Sequence, residues 1–176
     1  MLDGVEIGSG TGQHAVTFAA ALPGVTWQTS DLEQSHESIR AWIADAGAVN
    51  VLPPLHFDVL SAAAPSSRYD AVFSANTAHI MSYAAVCRMF ELVGDIVGEA
   101  GVFCLYGPFS CGGRFSTQSN AAFDASLRSR NASMGIRDLD DLEDLAGQNG
   151  MILARIYAMP ANNLLTVWTR TGSNCR

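Results

Sequence analysis

The chain has 176 residues, an apolar fraction of 48%, no lysine and a formal net charge of −7. These values predict one domain over residues 1–176 with a sizeable core, and the acidic balance argues against nucleic acid as substrate or partner. No apolar run approaches the length of a membrane span and no signal peptide is recognisable, so we expect a cytoplasmic protein that has no contact with membranes.

Strand-like and helix-like patterns alternate along the chain. The predicted strands cover residues 2–7, 25–31, 55–59, 69–76, 101–107, 151–158 and 164–169, and the predicted helices cover 12–21, 32–46, 83–97, 121–129 and 138–149. A loop is expected at 61–68 and a long irregular segment at 108–120. This alternation predicts a doubly wound, mostly parallel α/β sheet of seven strands. The last two strands are too close in sequence for a crossover, so we expect them to form an antiparallel hairpin.

A glycine-rich turn joins the first strand to the first helix. Glu6 lies near the end of the strand, and Gly8, Gly10 and Gly12 follow at alternate positions around Ser9. Glycines permit positive φ and a close approach of ligand to backbone, and a helix N-terminus offers unpaired N–H groups. A dinucleotide fingerprint would need its third glycine one position later, and a phosphate-binding loop would need a lysine. The pattern resembles instead the first motif of class I S-adenosylmethionine-dependent methyltransferases; a nicotinamide-dependent oxidoreductase is the weaker alternative.

Polar residues also end other predicted strands, where open α/β sheets bind their ligands. Asp31 is expected to accept hydrogen bonds from both ribose hydroxyls of a nucleoside. Asp58 is placed to bond the exocyclic amine of adenine while Val59 packs on the ring. Asn76 is expected near the sulfonium, and each of these residues has an alternative interpretation as a turn or cap residue.

The acceptor side of the site is less defined. His79 follows the fourth strand and is the candidate general base, or else a structural histidine. The 108–120 segment suits a substrate loop or a mobile surface loop. The candidate substrate-binding residues are Tyr106, Arg114, Asn120, Asn162 and Asn163. The four cysteines contain no Cys-x-x-Cys pair and the histidines show no ligand spacing, so no metal site is predicted.

Several stretches together resemble a domain-of-unknown-function family of small methyltransferase-like proteins, whose animal members include methyltransferase-like protein 26. They are residues 6–15 (EIGSGTGQHA), 27–31 (WQTSD), 70–80 (DAVFSANTAHI), 105–109 (LYGPF), 119–127 (SNAAFDASL), 135–139 (GIRDL) and 159–165 (MPANNLL). The resemblance implies a cofactor cleft lined by Glu6, Gly8, Gly10, Gly12, Asp31, Asp58 and Asn76. It leaves the substrate open, because the substrate of that family is unsettled. Members usually carry a further segment before the first strand, which helps to cover the cofactor and which this chain is expected to lack.

We therefore expect a methyltransferase that uses S-adenosylmethionine, releases S-adenosylhomocysteine and acts on a small molecule. The alternative is a non-catalytic S-adenosylmethionine-binding or protein-interaction module. The sequence does not indicate the oligomeric state.

Overall fold

The computed structural model describes residues 2–63 and 67–171, so part of the predicted 61–68 loop lies outside the described residues. The strands, in chain order, are Leu2–Ile7 (β1), Val25–Asp31 (β2), Val51–His56 (β3), Tyr69–Ala75 (β4), Val97–Gly107 (β5), Phe109–Cys111 (β6), Arg114–Phe115 (β7), Arg137–Asp138 (β8), Met151–Met159 (β9) and Asn163–Arg170 (β10). The helices are Gln13–Ala21 (α1), His36–Ala46 (α2), Tyr83–Ile96 (α3), Gln118–Arg130 (α4) and Leu139–Gln148 (α5).

Seven strands form the central sheet in the order β3-β2-β1-β4-β5-β10-β9. Strands β1 to β5 pair in parallel, and β10 pairs antiparallel with both β5 and β9. The predicted doubly wound sheet with a closing antiparallel hairpin is therefore confirmed. The chain order reverses between β1 and β4, and such a reversal opens a crevice at the carboxyl ends of the two strands.

The two faces of the sheet are packed against different helices. One core joins α3 and α5 to the sheet through residues such as Ile7, Phe90 and Trp168, which are almost fully buried. Phe90 contacts the Trp168 ring edge-to-face, with a centroid separation of 5.6 Å. The other core joins α1 to β2 and β3 through residues such as Ala15 and Trp27. Because side chains alternate along a strand, Glu6 of β1 lies on the side opposite to its neighbours Val5 and Ile7.

The third strand was placed wrongly from the sequence. Residues 55–59 were predicted, whereas β3 runs over Val51–His56 and includes Pro53 and Pro54. Prolines are tolerated there because β3 is an edge strand of the sheet and need not donate on its outer side. Asp58 therefore lies two residues beyond the strand instead of within it.

The segment 108–120 is more regular than predicted. It contains the β6–β7 hairpin, which pairs with β8 in a second sheet of order β7-β6-β8, and the first turn of α4. The Asp138 carboxylate fixes the hairpin, because its Oδ2 accepts hydrogen bonds from Ser110 Oγ and from the Gly113 N–H, both at 2.8 Å. Helix α4 begins three residues earlier than expected, where Thr117 caps it by accepting from the Asn120 N–H.

Candidate functional site

The glycine turn is fixed to the end of β2 by backbone hydrogen bonds. The N–H groups of Gly8 and Ser9 both donate to the Ser30 carbonyl, at 3.1 and 2.9 Å. The Gly10 N–H donates to Asp31 Oδ2 at 2.7 Å, and the Leu32 N–H donates to Asp31 Oδ1 at 2.6 Å. The Asp31 carboxylate is thus turned toward the glycine turn, and each oxygen keeps lone-pair capacity for a further donor.

Buried hydroxyls hold the neighbouring strand ends in place. Ser30 Oγ donates to the Glu6 carbonyl and Ser74 Oγ donates to the Ile7 carbonyl, both at 2.7 Å. Thr77 Oγ1 lies 2.6 Å from Ser74 Oγ. These contacts join the ends of β1, β2 and β4 and make the floor of the crevice rigid.

The three glycines of the turn have different surroundings, although all have positive φ. A Cβ on Gly8 would lie 2.7 Å from Thr77 Cγ2, and one on Gly12 would lie 3.0 Å from the Ile39 Cα. A Cβ on Gly10, where φ is +56°, would have no atom of the described residues within 4 Å. Of the three, only Gly10 leaves unfilled space.

That space is part of a cavity of about 510 Å³, which we call the glycine cleft. Its lining includes six of the residues predicted to bind a cofactor: Gly8, Gly10, Asp31, Asp58, Val59 and Asn76. Asp58 Oδ1 accepts the Leu60 N–H at 3.0 Å, which makes a tight turn at the rim. The apolar side chains of Leu60 and Ile80, 60% and 51% exposed, lie at the same rim.

Three predicted cofactor residues are not part of this lining. Gly12 packs against Ile39, and Ser9 is buried with its Oγ accepting the Ser30 N–H at 3.1 Å. Glu6 is fully buried on the α1 side of the sheet, and neither carboxylate oxygen has a hydrogen-bond partner among the described residues. The Nδ1 atom of His14 lies 3.6 Å from Glu6 Oε1, close enough for an ion pair when the imidazole is protonated. The Glu6 carboxylate, close to the ring, raises the pKa of His14 despite the opposing effect of burial.

A second cavity of about 430 Å³ adjoins the glycine cleft. It is lined by Asn76, His79, Pro108, Ser119, Asn120, Phe123, Ala161 and Asn163. Asn76 lines both cavities, and its φ of +58° projects it from the end of β4 in a conformation that asparagine tolerates better than most residues. The two cavities therefore meet at one residue.

His79 is 7% exposed and lines this second cavity. Its ring packs against Phe123, with centroids 5.3 Å apart, and makes no hydrogen bond with the described residues. Burial, followed by the positive charges of Arg137 and Arg130, lowers the pKa of His79. The imidazole is consequently neutral near pH 7 and able to accept a proton.

Four of the five predicted substrate residues form two hydrogen-bonded pairs at the second cavity. Asn163 Nδ2 donates to the Tyr106 hydroxyl at 3.0 Å, and Asn120 Nδ2 donates to the Asn162 carbonyl at 3.3 Å. Asn120 and Asn163 line the second cavity, whereas Tyr106 and Asn162 support them from behind. Arg114 does not join this group: it is exposed on β7, paired with Cys111.

The sequence interpretation missed residues that shape both cavities. Met81 and Ser82 line the glycine cleft, and Phe123 lines the second cavity. Arg137 holds the turn that carries His79, because its Nε donates to the Ala78 carbonyl at 3.0 Å and its Nη2 donates to the Met81 carbonyl. Only one local signal was available, namely that residues 77–82 directly follow a strand at the switch point.

The part of the chain that the structure describes contains neither a candidate metal site nor a candidate membrane-spanning helix. No group of three or more His, Cys, Asp or Glu residues there could hold a metal ion. No helix within residues 2–63 and 67–171 is long and apolar enough to cross a membrane.

Comparison with known proteins identifies the family. A family model described as "Protein of unknown function (DUF938)" matches residues 3–170. The chain belongs to the DUF938 family. The matched residues include every strand of the central sheet except Leu2 of β1, and all the residues that line the two cavities.

Solved structures share the fold of this DUF938 protein at low sequence identity. Mitomycin 7-O-methyltransferase MmcR has a TM-score of 0.85 and 16% identity, over 97% of this chain and 49% of its own. PigF, solved with S-adenosylhomocysteine, has a TM-score of 0.82 and 18% identity, over 96% of this chain and 50% of its own. A pericyclic reaction enzyme has a TM-score of 0.81 and 13% identity, over 97% of this chain and 43% of its own.

These similarities show the fold alone. The predicted class I methyltransferase fold is confirmed, and this DUF938 chain spans half or less of the length of these solved proteins. A pericyclic reaction enzyme shares this fold, so the fold alone does not define the reaction.

Proposed function

We propose that this DUF938 protein is an S-adenosylmethionine-dependent methyltransferase that acts on a small-molecule acceptor. One observation carries the proposal: the glycine cleft and the second cavity meet at Asn76, so a bound nucleoside and a bound acceptor would come together there. The relation to methyltransferase-like protein 26 stays a prediction, as do the cytoplasmic location and the lack of nucleic-acid partners.

The glycine cleft fits the cofactor in size and in chemistry. A volume of about 510 Å³ lies within the usual range for a ligand of this size. Gly10 leaves room for the ligand to lie on the backbone, and Asp31 retains acceptor capacity for the two ribose hydroxyls. Val59 and Asp58 supply an apolar surface and a carboxylate for the adenine. When bound, S-adenosylmethionine supplies a methyl group already activated by its sulfonium and leaves as S-adenosylhomocysteine.

The residues of the second cavity would align the acceptor and accept the proton that it loses. Asn76, at the junction, would orient the incoming atom toward the cofactor. His79, whose neutral ring accepts no hydrogen bond from the described residues, would take the proton at one of its ring nitrogens. Phe123 and Pro108 would exclude water from the reacting atoms. Alignment and dehydration account for most of the required rate enhancement, because the methyl donor is already activated.

The exposed rim of the glycine cleft supports a second candidate function. Leu60 and Ile80 present apolar surface beside the cleft, as a surface that receives a partner would. The second candidate is therefore a non-catalytic S-adenosylmethionine-binding or protein-interaction module.

Calorimetric titration of the full chain with S-adenosylmethionine and S-adenosylhomocysteine tests both candidates. No binding of either compound by folded protein would contradict the cofactor assignment. Binding without formation of S-adenosylhomocysteine across a panel of small-molecule acceptors would favour the module. Once an acceptor is found, His79→Asn tests the base: unchanged turnover would remove His79 from the mechanism.

A further inference from the structure

Two of the three amide side chains that line the second cavity, those of Asn120 and Asn163, have a fixed orientation. Asn163 Nδ2 lies 3.3 Å from the Pro160 carbonyl, and Asn120 Nδ2 lies 3.3 Å from the Asn162 carbonyl. A carbonyl oxygen can only accept a hydrogen bond, so the amide atom that faces it must be the nitrogen. Each amide nitrogen also donates a second time, Asn163 to the Tyr106 hydroxyl and Asn120 to Ser116 Oγ.

The amide oxygens, in contrast, remain without a donor. No described residue donates to Oδ1 of Asn120 or Asn163. The side-chain atoms that are both fully buried and unpaired in the described ranges belong to Glu6 and Trp27, so these two oxygens retain accessible surface. Both residues line the second cavity. His79, in the same lining, adds a neutral ring with an unshared nitrogen lone pair.

None of the described residues that line the second cavity carries a charged side chain, since His79 is neutral. The nearby Arg137 guanidinium is engaged by the carbonyls of Ala78, Met81 and Ser133. Pro108, Phe123 and Ala161 supply apolar wall. A charged ligand would lose its hydration there: a cation would meet the positive charges of Arg137 and Arg130 that also lower the pKa of His79, and an anion would face the two amide oxygens. A ligand without donors would leave the amide oxygens unpaired.

We propose that the second cavity selects an uncharged ring compound through its hydrogen-bond donors, with the Oδ1 atoms of Asn120 and Asn163 as the acceptors. The ligand class is a neutral molecule that carries at least two O–H or N–H groups on an apolar ring. The identification of this ligand as the methyl acceptor rests on the proposed function, whereas its recognition by the two amide oxygens does not.

Four naphthalene probes of similar size test the inference on the full chain by calorimetry or ligand-observed NMR. They are 2,3-dihydroxynaphthalene (two donors), 2,3-dimethoxynaphthalene (no donor), 2-naphthoate (an anion) and 2-(aminomethyl)naphthalene (a cation). We expect the diol to bind at least about tenfold more tightly than each of the others, as the loss of two hydrogen bonds or an uncompensated charge requires. Equal binding of the diol and the dimethoxy compound, tighter binding of an ion, or no binding of any probe would overturn the inference.

The Asn163→Asp variant locates the recognition. It adds a negative charge to the lining, so the cationic probe should gain affinity by about tenfold and naphthoate should lose what affinity it has. Asn149→Asp is the matched control, because Asn149 Nδ2 also donates to a backbone carbonyl, that of Leu145, but lies on the far side of the fold at the end of α5. A probe preference that is the same in Asn163→Asp and wild type would show that Asn163 does not face the ligand.

The probe series is measured with and without S-adenosylhomocysteine, which separates this inference from the proposed function. If the protein binds S-adenosylhomocysteine but shows no preference for the donor-bearing probe, this inference is wrong and the proposed function is unaffected. Donor preference in a protein that binds no S-adenosylhomocysteine would support this inference and contradict the proposed cofactor.

Discussion

The backbone N–H of Gly10 donates a 2.7 Å hydrogen bond to the carboxylate of Asp31, which ends the neighbouring strand β2. The bond fixes the most open part of the glycine turn to the residue that is expected to hold the ribose. It also keeps the carboxylate directed into the crevice, where no residue of the described part of the chain forms an ion pair with it. Asp31 and Gly10 thus form one unit, and changes to either should affect ligand binding more than folding.

Asp31→Asn should weaken S-adenosylmethionine binding roughly tenfold to a hundredfold, because hydrogen bonds to a charged acceptor contribute about 1.5–3 kcal/mol. Calorimetric titration measures the change. Asp95→Asn, at an exposed position of α3 away from both cavities, is the control and should bind like wild type. Equal affinity of the two variants would remove Asp31 from the cofactor site.

Gly10→Ala and Gly47→Ala form a matched pair. Gly10 has φ +56° and Gly47, which ends α2, has φ +57°. Apart from chain neighbours, no described residue has an atom within 4 Å of a Cβ built at either position. Both variants should lose about 1 kcal/mol of unfolding free energy from the strained backbone, measured by urea denaturation. Only Gly10→Ala should also lose cofactor affinity, because its methyl group would project into the glycine cleft. A loss of affinity in Gly47→Ala as large as that in Gly10→Ala would contradict this view.

The contact between His14 and the buried Glu6 should make stability depend on pH. Because the pKa of His14 is raised in the folded state, its contribution is fully present below about pH 6.5, the ordinary value, and is lost as the pH rises through the raised value. His14→Gln should therefore destabilise the protein clearly at pH 5.5 and much less at pH 9. Urea unfolding at both pH values gives the comparison, and an equal loss at both would mean that the contact is not ionic.

Arg137→Met should destabilise the fold by about 2–3 kcal/mol, since it leaves the carbonyls of Ala78 and Met81 without their buried donor. Arg155→Met, at an exposed position of β9, should change stability by less than about 0.5 kcal/mol. Thermal or urea unfolding measures both. A loss no greater than that of the control would show that the 78–81 turn holds its shape without Arg137.

The sequence predicted features whose cause is local. The glycine turn follows from three glycines between a strand and a helix, and the hairpin follows from the short gap between β9 and β10. The strand β3 was misplaced because Pro53 and Pro54 stop most strands, and only the completed sheet shows that they lie at its edge.

The parts that escaped prediction depend on contacts between distant positions. Arg137 lies 59 residues from Ala78 in sequence, and Asn120 lies 42 residues from Asn162. No local pattern links such pairs, so neither the support of His79 nor the orientation of the amides was visible in the sequence. Arg114 illustrates the converse, because a cation in a loop beside the site suggested substrate binding, yet its side chain is exposed away from both cavities.

The position of β10 also has a consequence for synthesis. This strand is inserted between β5 and β9, so the outer edge of β5 over residues 102–107 has no partner until residues 164–169 have left the ribosome. Until then the nascent chain carries an open, apolar strand edge, which is a site for aggregation. Production of the protein should therefore depend on chaperones that bind such edges, and a chain that stops before β10 should be recovered as insoluble material.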